Sequence, residues 1–158
     1  MNGYFGITDA IRKAFNGTGR VQTITHGDLS SVDLNRQNIY PLVHVTSAGV
    51  SMQSTITSYT FNITIMDILD FTRSAEKDEV EPFYGNDNLQ DILHDLGLTL
   101  EQAMDELRRG DLYEQLYRIE NDAINGTAFQ SDGENQVAGW SVSVTIITTN
   151  SAVNDGLC

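Results

Sequence analysis

The side chains that most often do chemistry in proteins are thinly spread along this sequence. Its three histidines, His26, His44 and His94, fall on three different predicted elements and show no local metal-ligand spacing. A lone histidine on a strand or helix is typical of a structural or exposed residue. The only cysteine is Cys158, so we expect neither an intrachain disulfide nor a cysteine metal site.

Acidic residues are abundant, but their pattern favours solvent exposure over catalysis. Asp67 with Asp70, and Glu79 with Glu81, belong to a charged run and do not suggest a catalytic carboxylate pair. Residues 131–136 (SDGENQ) faintly resemble a calcium loop, yet they lack its alternating ligands and its closing glutamate. Phosphate-loop, dinucleotide, nucleophile-elbow and zinc-protease motifs are missing from the sequence. We therefore predict no catalytic residue, no cofactor and no metal site.

Charge and length narrow the class of protein further. The 158 residues carry 22 acidic and 9 basic side chains, a net charge of -13, which argues against a protein that grips phosphate backbones. At this length, 40% apolar residues suffice for one ordinary core. The sequence has neither a secretory signal pattern nor an apolar run of 18 residues, so we expect a soluble protein made in the cytosol, with no membrane contact.

Two helices are predicted from apolar residues at helical spacing. The first is short and ends at Asn16–Gly17. Its apolar residues are Tyr4, Phe5, Ile7, Ala10, Ile11, Ala14 and Phe15. The second spans Asn86 to Arg109, and its stripe continues across Gly97, which outweighs a possible capping box at Thr99 and Gln102 and indicates one helix. The residues expected to face a sheet are Ile92, Leu96, Ala103 and Leu107.

Strands are predicted where apolar and polar residues alternate. The clearest run from Tyr59 to Ile65 and from Trp140 to Ile147. Weaker signals cover 20–26, 39–47 and 111–121, and Pro41 must stand at a strand start or an edge because it cannot donate a ladder hydrogen bond. Residues 50–57 fit either a pairing segment or a loop, and 122–136 are predicted to form a long loop.

These elements predict a single α+β domain over residues 1–158. We expect a mixed or antiparallel sheet of about four to five strands, with one long helix packed on it and a short N-terminal helix. From about residue 150 the chain is predicted to form a flexible tail.

Several segments together carry a family resemblance. They are IYPLVHVTSAG, TSYTFNITIMDILDFTRS, a long helix ending in ELRRGDLYEQ, and VAGWSVSVTI. In this order they resemble the tail terminator, or tail completion, proteins of long-tailed bacteriophages. The resemblance covers most of the chain, but it consists of strand and turn patterns and includes no catalytic signature.

The resemblance implies a structural virion protein without catalytic residues. Such proteins form a ring, commonly of six copies, that caps the tail tube and meets the head-side connector. The implied partners are other copies of the chain, the tail tube protein and the connector or adaptor protein, while DNA passes through the lumen without specific binding. The implied location is the tail or neck of the virion.

The charged segment after the strand at Tyr59 is the candidate surface for these subunit or partner contacts. Its residues are Thr72, Arg73, Glu76, Lys77, Asp78, Glu79 and Glu81. A solvated loop without a partner explains the same charges. Two other functions stay open at this point: a head-to-tail adaptor or other neck ring protein, and a small acidic enzyme or ligand-binding domain that uses residues 122–136 as a lid.

Overall fold

Two helices and a six-stranded mixed sheet make up the described part of the chain. The computed structural model describes residues 3–28, 39–69, 89–109, 117–120, 123–130 and 136–149. The helices are α1 (Tyr4–Gly17) and α2 (Leu89–Arg109), and the strands are β1 (Thr23–His26), β2 (Leu42–Met52), β3 (Ile56–Ile68), β4 (Arg118–Ile119), β5 (Gly126–Gln130) and β6 (Val137–Thr149). The predicted α+β class is confirmed, with six strands in place of four to five.

The sheet is built around β3, which pairs antiparallel with β2 on one side and with β6 on the other. At one edge β1 pairs parallel with the beginning of β2. At the other edge β5 and β4 share the far side of β6, β5 opposite Ala138–Val142 and β4 opposite Ile146–Ile147. Both helices pack on the same face of this sheet and contact each other.

The alternation predicted for β3 and β6 is confirmed by burial. Phe61, Ile63 and Ile65 are fully buried under the helices, while Asn62 between them is exposed. The core-facing side chains of β6 are buried in the same cluster. On the opposite face a smaller cluster of Leu42, Met66 and Val137 covers the end of the sheet where β2 begins. That end is therefore buried on both faces.

Helix α2 is one helix across Gly97, as predicted, and this turn of the helix packs against Trp140. The indole Nε1–H of Trp140 donates to the Leu93 carbonyl at 2.9 Å, and a Cβ on Gly97 would lie 3.4 Å from that nitrogen. Thr99 does not cap a second helix, since its hydroxyl donates to the Asp95 carbonyl one turn back, at 2.9 Å. The predicted core face is confirmed: Ile92, Leu96, Ala103 and Leu107 are all buried. Residues 86–88 lie outside the described residues.

Helix α1 confirms the predicted position but corrects one residue of its apolar stripe. Ile7, Ile11 and Phe15 are buried, whereas Phe5 is 71% exposed. Phe5 shares its helix face with Thr8, Asp9 and Arg12, on the side away from the core. Phe5 was included in the stripe because phenylalanine is apolar, but its position on the helix faces away from the core.

Two segments are more extended than the sequence indicates. The predicted long loop at 122–136 contains β5, so that prediction was wrong for Gly126–Gln130. The ambiguous segment after Gly49 continues β2 as far as Met52. Of the extended stretch predicted at 111–121, the described part contributes only the two residues of β4. Pro41 precedes β2, at the strand start that its chemistry requires.

Candidate functional site

The strongest candidate surface in the described residues is the second half of β2. The charged segment predicted for contacts, Thr72, Arg73, Glu76, Lys77, Asp78, Glu79 and Glu81, lies outside the described residues, as do the calcium-like stretch at 131–135 and the tail from residue 150. Strand β2 is buried from Leu42 to Val45 and exposed from Ser47 to Met52. We call Thr46–Met52 the open edge.

The open edge exists because β1 stops while β2 continues. β1 pairs with Leu42–Val45 and ends at His26. Gly27, with a φ of 101°, then turns the chain; its N–H donates to the Val45 carbonyl at 3.1 Å, and its carbonyl accepts from the Thr46 hydroxyl at 3.3 Å. Beyond this point no strand of the described chain pairs with β2 on the side away from β3.

Exposed apolar side chains accompany this backbone. Val50 is 50% exposed and Met52 is 75% exposed, near the turn that leads to β3. A bulge between Ser47 and Gly49 shifts the pairing with β3 by one residue. An edge strand presents N–H and C=O groups to any segment that can add a strand, and apolar side chains strengthen such pairing. Chemically, the open edge is suited to binding another polypeptide.

His44 fixes the place where the open edge begins. The residue is only 4% exposed, and its Nε2 lies 2.9 Å from the Gly27 carbonyl. Because a carbonyl can only accept, Nε2 carries a proton, and in the neutral ring Nδ1 accepts from the Thr25 hydroxyl at 2.7 Å. This histidine is structural: it ties the end of β1 to β2.

A second polar group joins α1 to the same strand. The Tyr4 hydroxyl contacts Nε2 of His26 at 2.9 Å and also hydrogen-bonds Oγ of Ser47. Serine and histidine near each other suggest a nucleophile and its base, but such a pair needs direct contact. Here the tyrosine hydroxyl is the common partner of both, so the group joins α1, β1 and β2 instead of activating Ser47. Its members are 22 and 43 residues from Tyr4, which is why no sequence spacing indicated them.

Two acidic residues in the part of the chain that the structure describes have altered pKa values. Burial raises the pKa of Asp67 and the nearby Asp95 charge adds to the rise, while the Ile68 N–H, 2.7 Å from the carboxylate, opposes it. Asp67 is thus half-buried at the end of β3, less solvated than the predicted charge run implies. Hydrogen bonds from Arg12 and Lys13 lower the pKa of Asp9, an exposed helical ion pair.

A groove of about 710 Å³ lies between α1 and β1. Its lining includes the rings of Tyr4, Phe5 and His26 and the charged side chain of Arg12. Among the groove's titratable groups with a shifted pKa is Asp9, whose shift comes from its surface ion pairs. The groove is a concave surface between a helix and a sheet edge, and surface ion pairs hold its Asp9 carboxylate.

The described ranges hold no group of three or more histidine, cysteine or acidic residues placed to bind a metal ion. Nor does either helix among them have the length and apolar composition that a bilayer crossing requires. No protein-family model matches this chain, and no curated protein matches it at a significant level.

Proposed function

We propose that this chain is a phage tail terminator: a ring subunit that caps the tail tube and joins it to the head-side connector. The sequence resemblance suggests the family, and the open edge is the observation that carries the proposal. A strand that continues past its neighbour, with Val50 and Met52 exposed, is an expected feature of a subunit that adds strands across copies. In this proposal the role is structural and requires no catalytic residue, cofactor or metal.

The open edge serves contacts between copies in this proposal. Soluble proteins usually protect a long edge strand with charge, proline or a cover, because uncovered edges aggregate. The open edge has neither a proline nor a charged residue among Thr46–Met52. Its sequence, TSAGVSM, has neither of these side-chain protections, and the bulge between Ser47 and Gly49 is a weaker device, which supports its being covered in an assembled state.

The acidic composition suits a ring that surrounds DNA. Six copies would carry a formal charge of -78, six times the -13 of one chain. A lumen of negative or neutral groups repels phosphates, so DNA can slide through it without binding. The same charge opposes assembly, and we expect salt to favour ring formation because it screens exposed charges over about 8 to 10 Å. Docking on the tube protein should favour it further.

Removal of the gene from the phage that encodes it tests the proposal. We expect tails of uncontrolled length, or tails that cannot join heads, and rescue by the wild-type chain supplied in trans. Finished tails of normal length that fail only at a later joining step, with the chain in another neck ring, would support a head-to-tail adaptor instead. Normal infectious particles without the chain would overturn a structural role altogether.

A further inference from the structure

The two helices lie on the same face of the sheet, toward opposite edges, and carry opposite net charge. Helix α1 has two basic residues and one acidic residue, net +1, whereas α2 has five acidic and two basic residues, net -3. The outer face of α1 borders β1, and α2 packs over β6 and β4. We call the side with α1, β1 and the open edge the β2 flank, and the side with α2, β4 and β5 the β6 flank.

The β2 flank carries an exposed aromatic knob, Phe5. At 71% exposure it is one of the most exposed large apolar side chains in the described residues. Arg12, seven residues later and therefore on the same helix face, has a side chain 66% exposed, and Lys13 beside it is 64% exposed. Aromatic and arginine side chains together are typical of contact surfaces between proteins.

The β6 flank carries a groove that matches this knob. It has a volume of about 680 Å³ and lies between α2 and β5. Its apolar lining consists of Leu98, Leu100, Met104, Ile124 and Val142. Glu101 and Asp105 lie on the same face of α2, where Asp105 also pairs with Arg109 at 3.3 Å and Arg108 joins the groove lining. Gly97 and Gly126 in the lining leave space because they have no side chain.

Knob and groove lie at the same height along the strands. Strand pairing places His26 opposite Val45, Val45 opposite Ile63, Ile63 opposite Val142, and Val142 opposite Gly126. His26 lines the groove beside Phe5, and Gly126 lines the groove beside α2. The two features are four strand positions apart, about 19 Å at 4.8 Å per strand. For a ring axis parallel to the strands, a rotation without rise carries one toward the other, and such a contact closes a ring instead of building a helical filament.

We propose that Phe5 of one copy inserts into the α2–β5 groove of the next copy, with Arg12 and Lys13 facing Glu101 and Asp105. The contact is head-to-tail, since knob and groove occupy opposite flanks of one subunit. It places the open edge of one copy beside the β4 strand of its neighbour. This proposal rests on the proposed ring and names the surfaces that form it.

Cysteine cross-linking between copies tests the contact. All variants carry Cys158→Ser, which removes the natural thiol. Phe5→Cys and Leu98→Cys proteins are mixed in equal amounts at high salt and, separately, on purified tail tubes, and are then oxidised. We expect mixed dimers to exceed like-with-like dimers, and a variant with both cysteines to give a ladder up to the full ring. The control pairs Phe5→Cys with Gln90→Cys, an exposed position two helical turns from the groove, and should cross-link far less.

Mass measurement of the same samples separates failure of the contact from failure of the ring. Rings that form without the mixed dimer would overturn the Phe5 contact and leave the proposed function standing. Chains that stay monomeric both at high salt and on tubes would overturn the ring, and the contact with it.

Charge exchange tests the polar part of the contact. Arg12→Glu should weaken assembly by about tenfold, because it places two negative groups together at the interface. Glu101→Arg in the same chain should restore assembly, since every interface then regains an opposite pair. A double variant that assembles as poorly as Arg12→Glu alone would contradict the pairing.

Discussion

Both halves of strand β2 pair with β3, but they differ in their burial and in their other neighbours. Leu42–Val45 are buried, with β1 alongside, the helices on one face and the Leu42 cluster on the other. Ser47–Met52 are exposed and have β3 as their described neighbour. The first half of β2 therefore stabilises the fold through burial. The second half is held by backbone pairing with β3 and is available for contact.

A charge placed in the core, where α2 packs on β6 and β3, should have the largest effect. Leu96 is 3% exposed and Leu98, two residues later, is 42% exposed. Leu96→Asp should lower the free energy of unfolding by about 4 kcal/mol, because it buries a carboxylate without a partner. Leu98→Asp, the matched control, should lower it by less than about 1 kcal/mol. Equal midpoints for the two variants in urea denaturation would contradict the assigned helix face.

Two strand glycines, one in the covered sheet and one on the open edge, differ in the space around them. A Cβ at Gly139 would lie 1.8 Å from the Ile65 carbonyl oxygen, in the backbone of β3, whereas Gly49 on the open edge has nothing within 4 Å. Gly139→Ala should cost about 3 kcal/mol, since the strands must separate locally. Gly49→Ala should change stability by less than about 0.5 kcal/mol. A thermal unfolding midpoint in Gly139→Ala equal to that of the wild type would show that β6 does not approach β3 so closely.

Asp67, at the end of β3 beside the buried half of β2, makes the free energy of unfolding depend on pH. Burial raises its pKa above the ordinary 3.8, so the folded protein binds this proton more tightly than the unfolded chain. The resulting stabilisation is fully present below pH 3.8 and is lost as the pH rises through the raised value. Asp67→Asn should therefore raise the free energy of unfolding at pH 7, by well under 1 kcal/mol because the carboxylate is half-exposed and screened.

Denaturation at two pH values measures this effect. The advantage of Asp67→Asn should shrink between pH 7 and pH 3.5, and Glu106→Gln, an exposed position on α2, should show no such trend. If Asp67→Asn raised the free energy of unfolding more at pH 3.5 than at pH 7, the pH dependence would have the opposite sign and would contradict the burial of Asp67.

The smallest effect on stability is expected on the open edge itself. Val50→Ser and Met52→Ser should each change the free energy of unfolding by less than about 0.5 kcal/mol, because the side chains are exposed. Val45→Ser, in the buried half of the same strand, is the control and should cost about 2 kcal/mol. A large loss of stability from Met52→Ser in the isolated chain would mean that the second half of β2 belongs to the core.

The fold was predictable where burial imposes a period on the sequence. β3, β6 and α2 each bury one continuous face, so their apolar residues recur every second residue or along a helical stripe. β5 could not be predicted because its residues are mostly exposed; pairing with β6 makes it a strand, and its sequence carries no alternation. Phe5 was misassigned for the converse reason, since its residue type suggests burial.

The candidate site was much less predictable than the fold. The open edge depends on where β1 ends relative to β2, a property of pairing between segments 19 residues apart that no local pattern encodes. The group formed by Tyr4, His26 and Ser47 likewise requires tertiary structure. The predicted contact segment at 72–81 stays a prediction.

In the proposed ring, the β2 flank of each copy meets the β6 flank of the next at the end of a tail tube. If the proposed function is correct, a high-resolution reconstruction of the neck of the virion that contains this chain tests the contact. We expect a closed ring in which Thr46–Met52 is covered by the neighbouring copy and Phe5 lies in that copy's α2–β5 groove. A ring in which the open edge faces solvent, or a neck without this chain, would contradict it.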